Sequence, residues 1–336
     1  METVPAPSPW TSEDACREAL AANPPPEARP FARVGTWNVR YFPDGAQPEG
    51  EGPETDVAWL ACAVAHLDVD VLAVQELKRH GDAVAAAAEL TEELDALTGG
   101  RWKLALEGCG GEGLPHIGLL YDEARVEVTE ARELDVVRAS IGRVCDDETR
   151  PGFAARVTIP GGVAFDIVVA HLPAGTEPAD RELRVRALDG LAAAVDTLHA
   201  ADPERELIVL GDFNTLGCPG CAEPLSGVME TAALEDAVHA MPRPLAVRSP
   251  ACSEYRYGEP LLLDHVLLSP GLEARLRGDV FVSGPCAERS CNHRGDASLD
   301  AADAKLSDHC PVLLDLDPAA GPVVAEARVP VPARTP

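Results

Sequence analysis

The chain has 336 residues, with 28 Lys and Arg against 56 Asp and Glu, giving a formal charge of −28 with the histidines neutral. That two-fold acidic excess excludes a protein that coats polyanions, because such binding neutralises many phosphates with Lys and Arg, so any phosphate chemistry has to be local. Hydrophobic residues at 46% supply a sizeable core and exclude disorder throughout.

Residues 1–32 read as a Pro-rich N-terminal arm, with Pro5, Pro7, Pro9, Pro24, Pro25, Pro26 and Pro30 around a short helical stretch at 12–22. Residues 33–317 read as one continuous domain, and 318–336 as a Pro-rich C-terminal tail. Apolar runs of strand length fall at 34–39, 69–75, 117–121, 153–159, 163–171, 207–211, 265–269 and 311–316. Helical periodicity lies between some of them. Thr55 can cap a helix with Val57, Leu60, Ala61, Val64 and Leu67 on one stripe, 82–97 forms another, and 180–199 carries Leu183, Leu188, Leu191, Val195 and Leu198. Single strands, hairpins and occasional helices predict a layered α/β (α+β) sandwich rather than an alternating barrel.

No stretch approaches the roughly 20 apolar residues of a membrane-spanning helix, so no membrane span is expected. The first residues lack the basic and then apolar profile of a secretory signal, which leaves a cytosolic chain or one whose signal has been removed. Ten cysteines favour the second, a secreted or envelope protein, because oxidising compartments stabilise such a load. A four-thiolate zinc site from Cys218, Cys221, Cys286 and Cys291 is the weaker reading beside disulfides.

Several predicted strands end in a polar residue that packing alone does not require: Asn38, Glu76, His171, Asp212 with Asn214, and Asp264; Asp308 and His309 stand just before the last strand. Strand ends gathered at one rim make a site. Oxygen donors such as Asn38, Glu76 and Asp308 suit Mg²⁺, or Mn²⁺ in its place, which keep several waters and use few carboxylates. Asp264 with His309 reads as an orienter and an acid/base, and His171 as a second proton-transfer group.

The ordered motifs Thr36-Trp37-Asn38-Val39-Arg40, Val74-Gln75-Glu76, Ala170-His171-Leu172, Gly211-Asp212-Phe213-Asn214, Leu263-Asp264-His265 and Ser307-Asp308-His309-Cys310-Pro311 resemble the signature set of the endonuclease/exonuclease/phosphatase superfamily, the deoxyribonuclease I-like fold. The resemblance implies a four-layer sandwich, two mixed sheets packed face to face with helices outside, and metal-dependent hydrolysis of phosphate esters. It places Asn38, Glu76 and Asp308 at the metal, and His171, Asp212, Asp264 and His309 in catalysis. Asn214 falls where the substrate phosphate is held, and Thr149-Arg150-Pro151 resembles a segment whose arginine meets a backbone phosphate. The sequence departs where the family carries a carboxylate for its first histidine; Pro115 and His116 stand there instead, which leaves open how His171 is held. The resemblance also implies a bridge from Cys218 or Cys221 to Cys252.

The expected function is a nuclease-like phosphodiesterase using Mg²⁺ and acting as a monomer with no protein partner, with Lys78, Arg79 and Arg150 as a narrow basic strip for a phosphate-ester substrate. The alternatives are a hydrolase of small or lipid head-group phosphate esters, and a non-catalytic binding protein on the same fold.

Overall fold

The computed structural model describes residues 8–26, 29–45, 52–145, 152–256, 258–293 and 301–319. Along the chain run β1 (Ala32–Phe42), β2 (Val71–Leu77), β3 (Trp102–Leu106), β4 (His116–Asp122), β5 (Glu127–Leu134), β6 (Gly152–Thr158), β7 (Ala164–His171), β8 (Leu207–Asp212), β9 (Ala246–Arg248), β10 (Glu254–Arg256), β11 (Glu259–Leu261), β12 (Asp264–Leu268), β13 (Phe281–Val282) and β14 (Val312–Leu316). The main helices are α1 (Glu13–Ala22), α2 (Val57–Leu67), α3 (Gly81–Thr98), α4 (Asp135–Ser140), α5 (Pro178–Ala201) and α6 (Gly227–His239).

Two six-stranded sheets, ordered β13-β14-β1-β2-β4-β3 and β9-β12-β8-β7-β6-β5, hold most of the strands, while β10 and β11 form a separate hairpin. Each sheet is mixed: β1 and β2 run parallel, as do β7 and β8, among antiparallel neighbours. The central strands read as unbroken apolar runs because both of their faces are buried. Period-two alternation divides those faces. Val34, Val71, Ala73, Ile167, Val169, Ile208, Leu210, Val266 and Val312 meet between the sheets. Leu72 and Val74 turn instead toward α2 and α3, and Val168, Ala170 and Val209 toward α5 and α6. Helix, sheet, sheet and helix make the four layers.

All the strands expected from apolar runs form, to within a few residues at their ends. The edge strands β3, β5 and β9 carried no such run; half of the β5 residues are exposed, so solvation rather than burial sets much of its sequence. The α2 cap is Asp56, whose side chain accepts from the Trp59 amide, one residue beyond the expected Thr55. Ser12 caps α1, which buries Cys16, Ala19 and Leu20 and is joined to α2 through the Cys16–Cys62 disulfide. Trp10 packs edge-on against Trp37, so residues 8–22 lie on the domain rather than beside it.

The ten cysteines form five disulfides. The expected bridge from Cys218 or Cys221 to Cys252 is corrected. A tight turn, closed by the Cys221 amide on the Cys218 carbonyl at 3.3 Å, pairs these two with each other. Cys252 lies instead in a buried cluster with Cys286, Cys291 and Cys310, where it bonds Cys291 while Cys286 bonds Cys310. That pairing also removes the four-thiolate zinc arrangement.

Candidate active site

The alternation that sorts the core continues into the site. Asn38 extends the inward set of β1, His171 that of β7 and Asp212 that of β8, and Asp264 stands two residues before Val266 on β12. All four point between the sheets at a single rim, because β1, β7 and β8 end there while β12 starts there, with Asp264 paired to Asp212 and Asp212 to His171. Glu76 should by parity face the helices. A register shift between Gln75 and Leu77, with Glu76 itself in the left-handed region at φ 67°, breaks the alternation and brings its carboxylate to His171. Such backbone at a charged residue is a cost the surrounding structure sustains, and it recurs at Arg40, Tyr41 and Asn214 around the same rim. Gly211, at φ 140°, has no room for a β-carbon, which would run into the Ala170 carbonyl; this lets β7 and β8 set His171 beside Asp212.

Asp212 is the hub. Its Oδ2 accepts from the Asn38 amide at 3.1 Å and lies 3.5 Å from His171 Nε2 and 3.8 Å from His309 Nε2, while its Oδ1 accepts the Asn214 backbone N–H at 2.8 Å. Glu76 Oε1 sits 3.5 Å from the same His171 nitrogen, and its Oε2 accepts the Tyr41 N–H at 3.2 Å. His309 Nδ1 meets Asp264 Oδ2 at 2.9 Å, and both residues are buried. Burial pushes Asp212 up to about 7, aided by the Asp264 and Glu76 carboxylates and opposed by His309. For His309 burial works against the charge, but Asp264, Asp212 and Glu254 outweigh it and hold the imidazolium well above its ordinary range.

The loop before β14 is fixed from several sides. The Trp37 indole donates to the His309 carbonyl at 2.9 Å, and the Ser307 hydroxyl donates to the Asn38 carbonyl at 2.6 Å. Asp308, half-buried, adjoins this loop with its Oδ1 3.4 Å from the Ser307 hydroxyl. Behind the rim, Thr215 and His265 steady the segment after Asp212. Thr215 donates its hydroxyl to the Leu262 carbonyl, so His265 Nε2–H donates to Thr215 at 3.0 Å and Nδ1 accepts from Ser249 at 2.8 Å.

Asn38, Glu76, His171, Asp212, Asp264 and His309 thus converge, and Asn214 and Asp308 flank them. The Asn214 side-chain amide is spent on the Leu172 carbonyl at 2.9 Å, so its contribution to the rim is chiefly its backbone N–H. Arg150 lies outside the described residues. Lys78 and Arg79 are engaged by the protein: Lys78 pairs with Asp44 at 2.5 Å and Arg79 donates to the Glu107 carbonyl at 3.2 Å. His116, which with Pro115 stands nearest to the carboxylate expected from the resemblance, pairs with buried Glu107 at 2.7 Å, while His171 is set against Glu76 and Asp212. Glu254, beside His309, carried no sequence signal: a lone acid between Ser253 and Tyr255 has no motif.

A family model described as the Endonuclease/Exonuclease/phosphatase family matches residues 35–309, every converging residue included. The chain belongs to this family. No curated protein matches it in sequence. Among solved structures it is similar to the human nocturnin catalytic domain with bound sulfate, at 16% identity and TM-score 0.54, covering 86% of this chain and 94% of that one. It is also similar to a 3′-5′ exonuclease from Neisseria meningitidis, at 18% identity and TM-score 0.51 over 85% and 99% of the two chains. A mannosyl-6-phosphatase of Bacteroides thetaiotaomicron gives 16% identity and TM-score 0.51 over 85% and 99%. At these identities the likeness is one of fold.

Proposed function

We propose that this protein hydrolyses P–O bonds of phosphate esters with a divalent cation, Mg²⁺ or Mn²⁺, bound at Glu76, Asn38 and Asp308. The observation that carries the reading is the convergence of His171 and His309 with the buried carboxylates of Glu76, Asp212 and Asp264 at the rim between the sheets. The residues fit such a cation. Their donors are oxygens, and buried Asp212, pushed up to about 7 among other acids, needs added positive charge to ionise fully. When bound, the cation offsets charge on the phosphoryl oxygens and the leaving oxygen.

The protein's own groups supply the rest. Asp264 holds the charge and orientation of His309, whose Nε2–H then faces the site as a cationic donor to a phosphoryl oxygen. Asp212, steadied by the Asn214 N–H and the Asn38 amide, takes the proton of the attacking water. His171, between Glu76 and Asp212, orients that carboxylate pair and donates from the opposite side.

The layout is nuclease-like, and a phosphodiester is the leading substrate. The engagement of Lys78 by Asp44 and of Arg79 by a carbonyl favours a second reading, a small phosphate ester that needs no long basic track. Five disulfides support an oxidising, extracytoplasmic compartment, and among the described residues no helix is long and apolar enough to cross a membrane. The test is turnover of plasmid DNA, a chromogenic phosphodiester and a chromogenic phosphomonoester with Mg²⁺ or with EDTA. Mg²⁺-dependent hydrolysis of at least one is expected, and hydrolysis of none would leave the binding-protein alternative standing.

A further inference from the structure

Glu254 adds negative charge beside His309, yet the mechanism above gives its carboxyl no contact with substrate. An antiparallel bridge sets it directly opposite His309. Residues opposed in this way send their side chains to the same face, so the Glu254 carboxyl stands beside the His309 imidazole. Its charge is accordingly felt with those of His309, Asp308, Asp212 and Asp264. The backbone around it is fixed: the Cys310 N–H donates to the Ser253 carbonyl at 2.7 Å and the Tyr255 N–H to the Asp308 carbonyl at 3.3 Å. The Cys252–Cys291 and Cys286–Cys310 disulfides flank the same segments.

The residue is only 7% exposed, and its Oε2 has no hydrogen-bond partner among the described residues. A buried carboxyl oxygen without a donor is costly, and packing would be served as well by Gln or Leu. Ionised, the carboxyl repels the phosphoryl oxygens, and protonated, it finds those oxygens already served by the His309 donor. What it can receive is a hydrogen-bond donor on the other half of the ester, the alcohol.

We propose that Glu254 forms a subsite for a hydroxyl of the substrate's alcohol moiety, so that the site selects phosphate esters of polyols or sugars over esters of plain alcohols. This rests on the phosphoesterase reading above. A hydroxyl both donates and accepts, so it satisfies the carboxyl in either protonation form; burial pushes the group up to about 8, and the match does not depend on which form prevails. A site built to bond a hydroxyl rejects the analogue lacking it, because the protein's polar group is then left unpaired.

Glycerol 1-phosphate and propyl phosphate, each also as its methyl diester, differ only in two hydroxyls and make the test, with saturating Mg²⁺ and with wild type, Glu254→Gln and Glu254→Leu. The wild type should favour glycerol 1-phosphate by about tenfold or more in kcat/KM. Glu254→Leu should bring the ratio of the two kcat/KM values to near one, whatever it does to the rate both esters share through His309, and Glu254→Gln should keep part of the preference. Unfolding curves of both variants check the fold, and the Gln variant carries the test should Leu disturb it. A wild-type ratio near one, a ratio untouched by both substitutions, or turnover of chromogenic esters with neither alkyl ester accepted would overturn the subsite. A loss of Mg²⁺ affinity by calorimetry with an unchanged ratio would make Glu254 a cation ligand instead, which also overturns it. Absence of metal-dependent hydrolysis on every ester would refute the phosphoesterase reading itself.

Discussion

His265 gives the sharpest prediction about stability. It is wholly buried with both ring nitrogens committed, Nε2 as donor to Thr215 and Nδ1 as acceptor from Ser249, and with Phe213 edge-on at 5.5 Å. Burial pushes its pKa down to about 3 from 6.5. The folded state therefore refuses a proton that the unfolded chain accepts between those values. Its contribution is fully present above about 6.5 and is lost as pH falls toward about 3, since there the unfolded state binds more protons. Taken at about 1.4 kcal/mol per pH unit, that interval is worth on the order of 5 kcal/mol, comparable to the whole stability of many domains. Urea unfolding at intervals from pH 7.5 down to 3.5 measures it. The wild type should lose stability along this range with about one more proton taken up than His265→Phe, which should be less stable near neutrality because two hydroxyls lose a partner. Identical acid limbs for the two proteins, or a His265 ring that titrates near 6.5 by NMR, would refute the argument.

Arg184 should act as a strut. Its guanidinium holds Glu230 at 2.8 and 3.0 Å and donates to the carbonyls of Gly175 and Gly217, joining the segments behind His171 and Asn214 to α5. Arg184→Met leaves the buried Glu230 carboxylate without its counter-charge, held among the described residues only by the Gly217 N–H, so urea unfolding should show a loss of about 3–5 kcal/mol. Thiol counting in denaturant without reductant should find almost no free cysteine, and ten after reduction; ten throughout would contradict the five disulfides. Asp264→Asn should lower kcat by about 10²-fold or more with little change in KM, because it removes the charge that orients His309 rather than a contact to substrate; kinetics at saturating Mg²⁺ would separate the two.

Much of the site was legible in the sequence because strand ends are. Asn38, His171, Asp212 and Asp264 each interrupt an apolar run at its end, and a run of that length has one alternation to continue. Glu76 was readable as a residue but not as a direction, since the bulge that turns it inward follows from its backbone, not from its neighbours. Glu254 was invisible for a different reason. It reaches the site only by pairing with His309 across a long loop closure, and nothing local marks an acid that tertiary contact will bury. One disulfide partner was missed similarly: the resemblance implied a bridge from Cys218 or Cys221 to Cys252, while the fold brought Cys252 to Cys291.

The chemistry of this protein centres on the rim where His309 faces Asp212. The direct measurement is the Mg²⁺-saturated rate of phosphoester hydrolysis by wild type and by His309→Ala, each with circular dichroism and Mg²⁺ affinity recorded. A fall in kcat of about 10²–10⁴-fold with fold and cation binding retained is the predicted result. A His309→Ala protein that keeps its rate to within a few-fold would contradict the assignment of chemistry to this cluster.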